Sequence, residues 1–154
     1  MYEPIVGPVK GLLLVRVLLT VCVMEFFGPW GRDFSESHLF NPEWVGHARV
    51  HMMWLLGFFL FSGMGTAYLI WFVRPLRLVH LYGAMLWLGA NFFGFWLAVL
   101  LVPVYNGLIV VPGLHVEILG IEENIFVFGV LSILFLSAWF VLEYRVKPNV
   151  RATV

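Results

Sequence analysis

Four long, predominantly apolar runs, at about 9–27, 50–73, 77–102 and 121–143, constrain this chain more than any other feature. Each approaches or exceeds the about 20 helical residues that cross a hydrocarbon core of roughly 30 Å. Because the runs are continuous rather than alternating, they point to helices and away from a closed β-barrel. Gly28-Pro29-Trp30-Gly31, Arg74-Pro75 and Pro103 with Tyr105-Asn106-Gly107 punctuate the intervals between them. A composition that is 62% hydrophobic and 12% charged cannot clothe a water-facing surface, which excludes a soluble domain and a disordered tail. Zero net charge without a basic cluster excludes a nucleic-acid binder. The expected fold is all-α: a polytopic four-transmembrane-helix bundle, one membrane domain over 1–154, with helices over about 9–27, 42–73, 77–102 and 114–146.

Cys22 stands alone inside an apolar run, so there is no disulfide framework, no Cys-x-x-Cys motif and no paired-cysteine quinone chemistry to read. The Lys10 charge followed by Leu12 onward has the outline of a signal peptide. No small-x-small cleavage site precedes Gly28-Pro29, however, and the first run is read as a retained helix.

Charge gives the bundle two different ends. Lys10, Arg16, Arg74, Arg77, Arg145, Lys147 and Arg151 fall on one side, seven of the nine basic residues, against Arg32 and Arg49 on the other. By the positive-inside rule both termini are expected in the cytoplasm, although the rule does not say which membrane is crossed. Glu25, Asp33, Glu36, Glu43, Glu117, Glu122 and Glu123 gather at or near the opposite end, with His38, His47, His51 and His115; only His80 lies with the basic residues. Chemistry, if the chain performs any, is expected at that outer end.

In the second helix, Asn41 before Pro42 has the form of a capping side chain followed by proline at the first helical position. Glu43, His47 and His51 then repeat at i, i+4 and i+8 and share a face, which continues through Phe58, Ser62 and Gly65. Small residues at that spacing are what membrane helices use for close packing, so the histidine face is expected to look into the protein. A second small-residue stripe, Ala90, Gly94 and Ala98, marks the third helix, with Asn91 on its shoulder as a tie between helices. Glu122 shares a face with Gly129 and is the better candidate than Glu123 to look inward; Glu25, with phenylalanine neighbours, sits where a carboxyl is costly to charge unless a histidine or arginine pairs with it.

Glu25, His47, His51 and Glu122 are accordingly the candidate acid/base residues. His115, Asn91, Trp54 and Glu123 are the candidate ligand contacts, in a pocket for a lipophilic molecule entering from the outer leaflet. Other readings stand beside this one. His47 and His51 have the i, i+4 spacing of two metal ligands, without the glutamate that follows the first histidine in zinc peptidases. His51 with His115 has the makings of a haem axial pair. Glu122 and Glu123 also read as a cap of the last helix, and Glu25 with Arg49 as a structural ion pair. Trp30, Trp44, Trp54, Tyr105 and Trp139 read as interface anchors, and Met52, Met53, Met64 and Met85 as gap-fillers. In a different class of function, the chain is a small accessory subunit packing against other membrane subunits or against copies of itself.

The segment Asn41-Pro42-Glu43-Trp44-Val45-Gly46-His47-Ala48-Arg49-Val50-His51 resembles that of a group of small four-helix membrane proteins with Asn-Pro-x-Trp followed by His-Ala-(Arg/Lys)-x-x-His-like spacing, from which this chain departs with His-Ala-Arg-Val-His. Val45-Gly46 stands here in place of a proline-rich pair. The resemblance implies a four-helix fold and no particular activity. In topology and residue types the chain is also similar to bundles of the emopamil-binding and sigma-2-receptor type, which implies intramembrane histidine and carboxylates acting on lipophilic ligands. The Arg-x-x-Asn-x-x-Glu pattern of membrane glutathione transferases is absent.

Overall fold

The computed structural model describes residues 4–110, 113 and 116–152, with side chains to 150. Four long helices carry the chain back and forth: α1 (Leu12–Asp33), α2 (Gly46–Trp71), α3 (Leu78–Tyr105) and α4 (Glu123–Val141). A π-helical turn, Leu142–Val146, extends α4 into the short α5 (Lys147–Ala152). All four are long and apolar enough to cross a membrane, the last counted as Glu123–Val150. A minimal hairpin, β1 (Glu117–Ile118) and β2 (Ile121–Glu122), precedes α4, and its two-residue turn places Leu119 and Gly120 at φ 56° and 77°. Positive φ at both turn residues is what a tight hairpin requires.

Successive helices run antiparallel, and α1 packs chiefly against α2 and α4. The core is a single cluster: Val15, Leu19, Cys22, Val23 and Phe26 of α1 meet Leu81, Met85, Leu88 and Phe92 of α3, with Leu131, Ala138 and Leu142 closing the α4 side. Lipid is as apolar as these side chains, so burying them gains little from water; dispersion contacts and hydrogen bonds between helices hold the bundle. Several such bonds end on carbonyls or hydroxyls. Arg16 donates through Nε to the Ile70 carbonyl at 2.9 Å and lies 4.0 Å over the Trp71 ring. Trp71 Nε1 in turn donates to Thr20 Oγ1 at 2.7 Å, Trp30 Nε1 to the Leu56 carbonyl at 2.9 Å, and Trp96 Nε1 to Ser132 Oγ at 3.0 Å. The Tyr82 hydroxyl donates to Glu143, which also accepts from Lys147 Nζ at 2.6 Å.

Gly11, at φ 86°, starts α1 beside the end of α4: a Cβ built there would lie 3.2 Å from Val141 Cγ1. The two terminal regions therefore share the basic end of the bundle with the Arg74–Arg77 connection. Arg32, Glu43, the histidines of α2 and the start of α4 share the other end, as the charge distribution predicts.

The helix limits differ from expectation at four places. Asn41 does not cap α2; its Oδ1 accepts from the Glu43 amide at 2.9 Å and its carbonyl from the Trp44 amide at 3.2 Å, making a turn. Extended Val45 then starts the helix at Gly46. Pro42 suits the second position of a turn as well as the first of a helix, so the dipeptide alone does not choose between them. In addition, α1 continues through Pro29 to Asp33 and α3 through Pro103 to Tyr105. The expected helix start near 114 lies outside the described residues; the hairpin follows at 117–122, and α4 begins at Glu123.

The packing faces differ too. The contact glycines are Gly63, where an added Cβ would lie 2.7 Å from Phe27 Cζ, and Gly89, where it would lie 3.3 Å from Phe135 Cζ. Ala90, Gly94 and Ala98 of the expected stripe are exposed, one position round the helix from Gly89. These helices are apolar on every side, so hydrophobic periodicity carries no phase.

Candidate functional site

The polar residues singled out from the sequence form three groups. In the first, the opening turns of α2 carry His47 and His51, whose Nε2 atoms lie 3.0 Å apart with the ring planes at 88°. One nitrogen donates and the other accepts, according to the tautomers of the two rings. Trp54 is stacked beside His51 with ring centroids 6.0 Å apart. Both histidines are exposed, contrary to the expectation that their face looks inward. Arg49 instead is partly buried, donating through Nη2 to the Asn41 carbonyl at 2.8 Å. This bond ties the turn at 41–45 to the Arg49 side of the helix.

Beside this pair runs an open groove of about 610 Å³. Its walls are Trp44, Val45, Ala48, Met52 and Leu55, and its polar rim is Glu43 and His51. The sequence contained the signal for those walls: Trp44, Ala48, Met52 and Leu55 recur at helical spacing, although Trp44 reads alone as an anchor and Met52 as a gap-filler. A second groove, about 540 Å³ between α2 and α3, is lined by Phe58, Phe61, Gly65, Gly83 and Trp87 with Ser62 and Thr66 at its floor. The Thr66 hydroxyl is committed to the Ser62 carbonyl at 2.7 Å.

Glu25 and Asn91 make the second group, inside the bundle. Glu25 is 4% exposed. Asn91 of α3 is its polar neighbour, but neither carboxylate oxygen reaches hydrogen-bond geometry with any partner. The ion pair with Arg49 considered from sequence is not formed. Four residues on, Pro29 lacks the N–H that would bond the Glu25 carbonyl, so polar backbone and polar side chain coincide in one turn.

The third group lies at the start of α4. Glu122 is its N-cap, accepting from the Ile125 amide and from Asn124 Nδ2, each at 2.9 Å. This is the capping role weighed as the alternative to an inward-looking acid. Turning to the helix also draws Glu122 away from Glu117, its like-charged partner across the hairpin. Glu123 pairs with Arg32 Nη2 at 2.8 Å, tying α4 to α1. His115 lies outside the described residues, and with it the His51–His115 haem pairing.

No hydrogen bond or ion pair joins one of these groups to another among the described residues. No three His, Cys, Asp or Glu side chains gather as a metal-ligand set among them either. The other two histidines have local tasks. His38 lies 3.7 Å from Asp33 and 2.9 Å from Ser37 Oγ, while His80 Nδ1 accepts from the Arg77 amide at 3.1 Å and helps start α3.

Set against protein-family models, curated proteins and solved structures, the chain matches none. A functional reading therefore rests on the residues and their geometry.

Proposed function

We propose that this chain is a multi-pass membrane protein with both termini in the cytoplasm, which takes a lipophilic molecule into the groove beside the start of α2. His51, hydrogen-bonded to His47, gives or takes a proton at the molecule's polar end. The observation that carries this reading is the placement of His51: the same side chain borders an apolar groove and hydrogen-bonds a second imidazole. An imidazole so coupled can be refilled with a proton, or relieved of one, by its neighbour, which is what acid/base work demands. The concentration of basic residues at the opposite end supports this orientation, with the groove in the non-cytoplasmic half. The likeness to emopamil-binding bundles is compatible with a lipophilic ligand.

Photoreactive fatty-alcohol and fatty-amine probes test the reading. In the detergent-purified protein they should label the peptide spanning 44–55. His51→Ala should weaken that labelling about tenfold, the loss of one hydrogen bond to a polar head. Ala48→Trp, which fills the groove and spares both histidines, should abolish it. Undiminished labelling of 44–55 in both variants refutes the proposal.

A further inference from the structure

We propose that His47 and His51 together chelate a divalent transition-metal ion through their Nε2 atoms, the ion replacing the hydrogen bond between them while the donor ring moves its Nε2 proton to Nδ1. The spacing i, i+4 places both rings on one helical face, and the structure has already turned their Nε2 atoms toward each other at 3.0 Å. Two imidazoles on a tetrahedral ion, each about 2.0–2.1 Å from it, stand about 3.4 Å apart. On adjacent positions of a square-planar ion, the geometry Cu²⁺ and Ni²⁺ favour, they stand about 2.9 Å apart, so the observed spacing lies between the two cases and the rings have only to turn both Nε2 lone pairs onto the ion. Both residues are exposed, so the ion reaches them without repacking the bundle. The competing hydrogen bond is weak opposition, since water can satisfy the same two nitrogens.

The donor set defines the class of ion. Two neutral imidazoles suit Cu²⁺, Ni²⁺ and Zn²⁺ rather than Mg²⁺ or Ca²⁺, with Cu²⁺ the tightest. Among the described residues no third carboxylate, thiol or imidazole completes the shell. The remaining positions belong to water, and the ion is exchangeable rather than structural. Metal binding needs only the two imidazoles; its consequence for the groove rests on the function proposed above. With both Nε2 lone pairs on the ion, His51 can no longer carry a proton at the groove's rim, so the metal acts as an inhibitor of probe capture.

Tag-free protein in detergent, titrated calorimetrically with Cu²⁺ and with Ni²⁺, should bind one ion of either kind per chain. Binding of Cu²⁺ should also quench indole fluorescence through Trp54. His47→Ala and His51→Ala should each weaken binding about a hundredfold, because the second imidazole acts at the high local concentration the helix gives it. His38→Ala, which removes a histidine of the same end, should bind as the parent does. Failure to take up one equivalent, or undiminished affinity in both His47→Ala and His51→Ala, overturns the site. Labelling of 44–55 by the fatty-alcohol probe, repeated with and without Cu²⁺, tests the consequence separately. Metal uptake without any probe labelling leaves the chelate standing and removes the lipophilic reading; labelling that Cu²⁺ does not reduce removes the inhibition.

Discussion

Gly63→Leu is expected to cost the folded bundle about 3 kcal/mol or more, at the upper end of overpacking effects, and to lower its thermal midpoint in detergent by several degrees. At this crossing α2 approaches α1 so closely that the first carbon of any side chain would lie 2.7 Å from Phe27 Cζ and 3.2 Å from Phe26 Cβ. The Phe27 ring is half-buried and can swing aside. Phe26 cannot: it is almost fully buried in the core, and its Cβ moves only with the backbone of α1. Alanine at 63 is therefore partly accommodated, whereas leucine forces the helices apart and forfeits the short-range dispersion that joins them where hydrophobic exclusion contributes little. Phe27→Ala in the same chain should restore part of the loss. Gly94→Ala, at a position where an added Cβ meets nothing within 4 Å, should be neutral or slightly stabilising. A Gly63→Leu protein as heat-resistant as the parent would show that α1 and α2 do not cross here.

The second large effect concerns Glu25 and has the opposite sign. A buried polar group without partners costs about 1–3 kcal/mol, and an apolar replacement of similar shape removes that cost. Glu25→Leu is expected to raise the thermal midpoint, Glu25→Gln to fall between it and the parent, and Glu25→Lys to prevent accumulation of folded protein, since a longer charged stem has no counter-ion in this part of the core. The comparison also sorts the residue's role. A gain of stability in Glu25→Leu would mean that the carboxyl does not serve the fold. Loss of stability in Glu25→Leu would mean that Glu25 is held by favourable contacts and serves the fold.

What the residues disclosed in advance follows the physics of each feature. Span number and the segregation of basic residues were legible because length and charge are properties of whole segments. The contact between His47 and His51 was legible because i, i+4 neighbours meet on any helix. Which way that face looks was not, because it depends on the turn at 41–45, and Asn41-Pro42 serves turn and helix equally well. The Gly89 face was missed in favour of Gly94 because α3 offers small and large apolar residues on all sides. Glu122 showed both of its readings in sequence, and the hairpin before α4 decides for the cap. Glu25 read as a carboxyl costly to charge unless a histidine or arginine pairs with it; three-dimensional packing gives it Asn91 as polar neighbour and, among the described residues, no such partner.

The bundle is fastened unequally along its axis. At the basic end Arg16 grips two carbonyls of α2, the Ile5 amide reaches the Leu76 carbonyl, and Tyr82, Glu143 and Lys147 lock α3 to the final turns. At the histidine end α1 is joined to its neighbours through the Trp30 indole and through an Arg32–Glu123 pair whose side chains are 50% and 31% exposed, a bond that water and salt readily loosen. Thermal fraying must then begin at the histidine end and travel inward, as a clothes-peg opens at its jaws while the spring holds. The groove beside His51 thus lies in the half of the molecule that yields first.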